Sequence, residues 1–102
     1  MPADPDAIRA QFEALKAAFR QQLPPRLAEM EEAWAAGDAV AAHRHAHKLA
    51  GTAGTFGVQE VSVEARALEH LLGPVREGAA LTEALRAQVE EALARLRRSA
   101  GG

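Results

Sequence analysis

Three histidines, His43, His45 and His47, fall in the short run Ala42–Leu49. Near neutral pH an imidazole can act as a nucleophile, a general base or a metal ligand. Helix geometry separates the three. His43 and His47 are four apart and share a face, whereas His45 lies about 200° round from each. Gly51 follows one turn after His47, with Ala50 beside it and Gly54 further on. Glycine inside a helix costs about 1 kcal/mol relative to alanine. Here it strips side chains from the surface beside the His47 ring. Two uses fit: room for another protein's backbone or reactive group, or close packing against a neighbouring helix.

The elements that must hold these residues follow from composition. The chain has 102 residues, 48% hydrophobic and 25% charged, with a formal net charge of −2. That is the size of one domain with one core, residues 1–102. Aromatics are 4% and Tyr is absent, so the core must come from Ala, Leu and Val. Ala, Glu, Leu and Arg lose little side-chain entropy in a helix. A β-sandwich needs more β-branched and aromatic residues. The class is all-α.

Period and punctuation predict five helices, over about 5–22, 24–36, 38–54, 58–72 and 81–98. Asp4 caps the first, with Pro5 at its first position and Ile8, Phe12, Leu15 and Phe19 on its inner face. Pro24-Pro25 ends it and opens the second, which turns Leu27, Met30 and Trp34 inward. Gly37 stops that helix and Asp38 caps the third, whose core stripe is Ala39, Ala42, Ala46, Leu49 and Ala53. The fourth buries Val61, Ala65, Leu68 and Leu72 before a loop marked by Gly73-Pro74 and Gly78. The fifth, capped by Thr82, buries Leu85, Val89, Ala92 and Leu96, and the final Ser-Ala-Gly-Gly frays. Short connections between long amphipathic helices predict an antiparallel up-and-down four-helix bundle. The additional N-terminal helix then covers one end or side.

If the turn between the third and fourth helices centres on Val58, residues whose numbers sum to about 116 lie level on that helical hairpin. Glu69 is then level with His47, and Ala65 with Gly51. A carboxylate at that place accepts the Nδ1–H of the ring and leaves Nε2 unprotonated and outward. Free imidazole titrates at about 6.5, so such a ring is largely neutral and nucleophilic at pH 7. A solvated helix residue is the other reading of Glu69.

The stretch Ala46-His47-Lys48-Leu49-Ala50-Gly51-Thr52-Ala53-Gly54-Thr55-Phe56-Gly57 resembles the signature of histidine phosphotransfer (HPt) domains. That signature is an alanine, the phospho-accepting histidine, an apolar residue two on, a glycine four on, small residues, and a glycine ten on. The run from Phe19 through Leu23-Pro24 to Ala36-Gly37-Asp38 is similar to the family too, as is Ala65-Arg66-Ala67-Leu68-Glu69, so the resemblance covers nearly the whole chain. It implies that His47 takes a phosphoryl group on its outward nitrogen and exchanges it with an aspartate on a response-regulator receiver domain. Glu69 matches the position of a Glu or Gln hydrogen-bonded to that histidine. A hybrid or chemotaxis-type histidine kinase would feed the relay. The family often has a lysine three after the histidine; here that position is Ala50. Arg44, Lys48 and Arg66 are the cations available for phosphoryl charge, and Arg44, one turn before His47, is the better placed. Ala50, Gly51 and Gly54 leave the surface that a partner would occupy.

The sequence has no Gly-rich nucleotide loop and no acidic cluster for Mg²⁺. The expectation is a phosphoryl carrier with no cofactor and no ATP-dependent kinase activity of its own. Mg²⁺ and most catalytic groups would come with the receiver, since phosphoryl transfer is mainly positioning and electrostatics. Other readings stand beside this one. His43 and His47 can chelate one Zn²⁺ or Ni²⁺, but Glu69 and His70 do not both share their face as further ligands. The bundle could instead be an adaptor that binds receivers without transfer. Thr55-Phe56-Gly57 and Glu69-His70-Leu71-Leu72 are also similar to the phosphorylated N-terminal domain of chemotaxis histidine kinases, so a piece of such a kinase is the alternative to a free-standing protein. His45 and His70 read as solvated surface residues, and Arg95, Arg97 and Arg98 as favourable charge at a helix end.

Composition removes several classes. No apolar run approaches the roughly 20 residues of a membrane helix. The start, MPADPDAIRA, is acidic and has no apolar core, unlike a secretory signal. Cys is absent, which excludes disulfides, thiolate metal sites and a cysteine nucleophile. The slight acidity leaves no electrostatic footprint for nucleic acid. The expectation is a cytoplasmic monomer that uses neither membrane nor nucleic acid.

Overall fold

The computed structural model describes residues 4–101. Met1–Ala3 and Gly102, parts of the predicted start and frayed tail, lie outside the described residues. Four helices account for the rest: α1 (Pro5–Ala35), α2 (Ala39–Thr55), α3 (Gln59–Arg76) and α4 (Glu83–Gly101), with no strand among the described residues.

The first two predicted helices are one. α1 runs through Pro24 and Pro25 without a break. Each proline removes an N–H, so the carbonyls of Arg20 and Gln21 lose their intrahelical partners. Gln21, Gln22, Pro24 and Pro25 are all exposed, so water can satisfy those carbonyls. Phe19, Leu23, Leu27 and Met30 recur at four, four and three across the prolines and are all buried. Each such side chain contributes about 1.5–3 kcal/mol, and together they offset a proline cost of about 3 kcal/mol apiece.

The front of α1 departs from expectation as well. Phe19 stacks on Phe56 with ring centroids 5.4 Å apart, and Arg20 pairs with Glu60. The α2–α3 turn therefore sits level with residues 19 and 20. The helix N-terminal to them projects past that turn, and Ile8, Phe12 and Leu15 are 52%, 42% and 55% exposed rather than packed inward. Nothing in the helical period distinguishes a stripe that meets a core from one that overshoots it.

The other boundaries follow local chemistry. The Asp4 carboxylate accepts from the Asp6 amide, Asp38 from Ala41 and the Thr82 hydroxyl from Leu85, so all three predicted caps form. α2 ends with Val58 N–H donating to the Ala53 carbonyl and Gly57 N–H to Gly54. That pair of bonds needs a left-handed residue between them, which Gly57 supplies at φ 73°. The same arrangement ends α3 at Gly78, not at Gly73. Pro74 lies inside that helix, so the predicted loop begins only after Arg76. α4 continues through Ser99, whose hydroxyl donates to the Leu96 carbonyl, so the last turn is helical to Gly101 and not frayed.

The core joins Phe19, Leu23, Leu27 and Met30 of α1 to the predicted inner stripes of α2, α3 and α4, except that Ala39, at the first position of α2, is half-buried outside it. Trp34 and Leu85 pack against it half-buried. Ala41 and Ala50 join the buried set of α2, which widens its alanine face.

Candidate functional site

α2 carries the site because its two faces differ. Ala42, Ala46, Leu49, Ala50 and Ala53 are buried, which fixes the helix rotation and turns His47 outward. The His47 side chain is 71% exposed, and its Nδ1 lies 2.7 Å from Oε1 of Glu69 on α3. Nδ1–H donates to that carboxylate. In the neutral ring that tautomer leaves Nε2 as the nitrogen with a free lone pair. Glu69 is only 25% exposed, so its carboxylate is held at the seam between the two helices.

Further along the seam the level count holds for Gly54 and Ser62. The Ser62 hydroxyl, buried, donates to the Ala50 carbonyl at 2.9 Å. A Cβ on Gly54 would stand 3.5 Å from Ser62 Oγ, an ordinary contact, whereas a Cβ on Gly51 would meet nothing within 4 Å. Gly51 therefore does not pack closely against a neighbouring helix, and its expected place opposite Ala65 brings no close contact.

Three shallow grooves meet at His47. One holds Arg44 with Val40, His43, Glu69 and Arg76. A second holds Lys48 with Arg26, Gly51 and Thr52. The third holds Arg66 with Ala50, Gly51, Glu69 and His70. Every sequence-predicted site residue except Gly54 lines at least one of them. Ala50 is buried at the base of its groove, so it offers a floor and no charge.

Arg26 and Arg76 were not among the predicted site residues. Arg76 was hidden by the loop expected at Gly73-Pro74. Once α3 is carried through Pro74, Arg76 falls seven residues beyond Glu69, on the same helical face. Arg26 was hidden because the register of α1 against α2 rests on contacts far apart in sequence.

The remaining expectations sort differently. His70 is exposed, as expected. His45 is half-buried at the α1–α2 contact, its Nδ1 3.9 Å from Glu29, rather than fully solvated. Arg95 pairs with Glu64 of α3 and Arg97 with Glu31 of α1, so these two tie helices together beyond serving a helix end, whereas Arg98 pairs with Glu91 within α4. Among the described residues no three histidine, aspartate or glutamate side chains converge as metal ligands. No described helix is long and apolar enough to cross a membrane.

Comparison with protein families places this geometry. The Hpt domain model matches residues 14–99, from the projecting part of α1 almost to the end of α4. The chain belongs to the Hpt domain family, whose work is histidine phosphotransfer in two-component phosphorelays. Searches of curated proteins and of solved structures return no significant match.

Proposed function

We propose that His47 is the phospho-acceptor and that it exchanges its phosphoryl group with an aspartate of a response-regulator receiver domain. The observation that carries this is the ring itself, open to solvent and tied through Nδ1 to Glu69 at 2.7 Å. Nε2 attacks the phosphorus of the receiver's aspartyl phosphate. The N–P bond forms as the P–O bond breaks, and the electron pair returns to the aspartate carboxylate. In the neutral ring Nε2 carries no proton, so none has to leave. The imidazolium that forms keeps its Nδ1–H on Glu69, whose charge opposes the new positive charge.

The chain supplies a held imidazole and a bare approach over Gly51, with Arg44, Lys48 and Arg66 around the ring to meet phosphoryl charge. The receiver supplies Mg²⁺ and most of the transition-state stabilisation, and a hybrid or chemotaxis-type histidine kinase stands upstream. We read the four helices as one antiparallel up-and-down bundle acting as a monomer. The paired levels support the antiparallel part: Glu29 with His45 and Phe19 with Phe56 across α1–α2, then His47 with Glu69 and Gly54 with Ser62 across α2–α3.

The test is labelling by a phosphorylated receiver. Wild type gains acid-labile phosphate, and His47→Gln gains none while keeping its helical circular dichroism and melting temperature. Acid-labile phosphate on the folded variant overturns the assignment.

A further inference from the structure

Position 50 leaves a gap in charge. A phosphoryl group on His47 brings up to two negative charges, and buried Ala50 stands where the family often has a lysine. The groove on the N-terminal side of His47 contains two guanidinium groups, Arg44 from α2 and Arg76 from α3, together with His47 and Glu69. Among the described residues neither arginine forms an ion pair, whereas Arg20, Arg95, Arg97 and Arg98 all do. Arg44 lies one turn before His47 on a neighbouring ridge of the same helix. Arg76 reaches the same groove only because α3 continues through Pro74 to that residue. The next turn closes at Gly78, so Arg76 occupies the last helical position before the chain leaves.

We infer that Arg44 and Arg76 form a two-arginine site that holds the phosphoryl group once it is on His47. This rests on His47 being the phospho-acceptor. Guanidinium matches the geometry of phosphoryl oxygens better than an ammonium does, because its planar donors bind two oxygens at once. Two such groups approaching from different helices straddle the groove, and neither has an internal carboxylate to give up. The other titratable groups lining the grooves at the ring are His43 and Lys48 on α2, Arg66, Glu69 and His70 on α3, Glu77 just after α3, and Arg26 on α1. Of these, Glu69 is engaged by Nδ1, on the side of the ring away from the phosphoryl group.

The experiment phosphorylates the full chain chemically with phosphoramidate, so that no receiver is needed, and follows the phosphohistidine ³¹P resonance as pH is varied. Nearby guanidinium groups favour the dianion. Arg76→Gln should move the ³¹P titration midpoint up by about half a pH unit, the scale of a partly exposed charge pair. Arg44→Gln should do the same and the double variant should move it further. Arg76→Lys should stay nearer wild type, and Arg9→Gln, on the projecting part of α1, should not move it. A midpoint unmoved in Arg76→Gln with the label in place overturns this inference and leaves the relay untouched. A labelled wild type that exchanges with no receiver overturns the relay and not this site. A wild type that phosphoramidate leaves unlabelled at His47 overturns both.

Discussion

His47 and Glu69 are 22 residues apart in sequence and meet at 2.7 Å across the α2–α3 seam. Nothing local brings them together. The meeting depends on a tight turn at Gly57 and on the buried register of Val61, Ala65 and Leu68 against Ala46, Leu49 and Ala53. The orientation of the His47 ring is thus set by the core of the hairpin, and Glu69 carries that setting to the ring.

Truncating Glu69 should slow transfer without ending it. Glu69→Ala frees the ring to rotate and to place its proton on either nitrogen. The lost charge-assisted bond is worth on the order of 1.5 kcal/mol, or about tenfold in rate. Glu69→Gln keeps an acceptor and should fall less. Single-turnover transfer from a phosphorylated receiver separates the two variants, and a rate equal to wild type in Glu69→Ala would show that the bond is idle.

Gly51 should separate stability from function. A methyl there meets nothing within 4 Å, and alanine is better than glycine in a helix by about 0.5–1 kcal/mol. Gly51→Ala should therefore raise the melting temperature of the isolated protein while weakening receiver binding, because the methyl occupies the approach to Nε2. A gain in both would mean that partners dock elsewhere.

The two parts of the α1 stripe should respond oppositely to truncation. Phe19 is buried against Phe56, so Phe19→Ala should cost about 3–5 kcal/mol. Leu15, one turn earlier on the same face, projects into solvent, so Leu15→Ala should change stability by less than about 0.5 kcal/mol. Urea titrations of the two variants check this, and a large loss in Leu15→Ala would mean that the projecting segment is covered.

These residues also show where the sequence was legible. The period of α2, α3 and α4 identified their core stripes, because a buried face leaves its mark at every third or fourth residue. The level of Glu69 with His47 followed from counting across one turn. Pro24-Pro25 and Pro74 misled, since local propensity favoured stopping where tertiary burial of Leu23 and Leu27, or of Leu72, carried the helix on. The exposed front of α1 was illegible for a different reason. Periodicity reports an amphipathic face and contains no information on where the opposing helices end. Of the missed arginines, Arg76 follows from the stop expected at Pro74, and Arg26 from the register of α1 on α2, which no local pattern encodes.

Glu60 should give the fold a small, signed dependence on pH. It sits in the first turn of α3. Its carboxyl is held below the ordinary glutamate range, first by a hydrogen bond from its own backbone amide and then by the Arg20 guanidinium. A carboxyl that ionises more readily folded than unfolded adds stability above its unfolded value. That stability is lost as pH falls through the folded one. The group is half-exposed, so solvent screening keeps the contribution under about 1 kcal/mol. Glu60→Gln should be less stable than wild type at pH 7, with the gap closing below about pH 4 as the wild-type carboxyl protonates. Urea denaturation at pH 7 and pH 3 measures it. A gap that persists at pH 3 would place the effect in the side chain's packing over the turn and not in its charge.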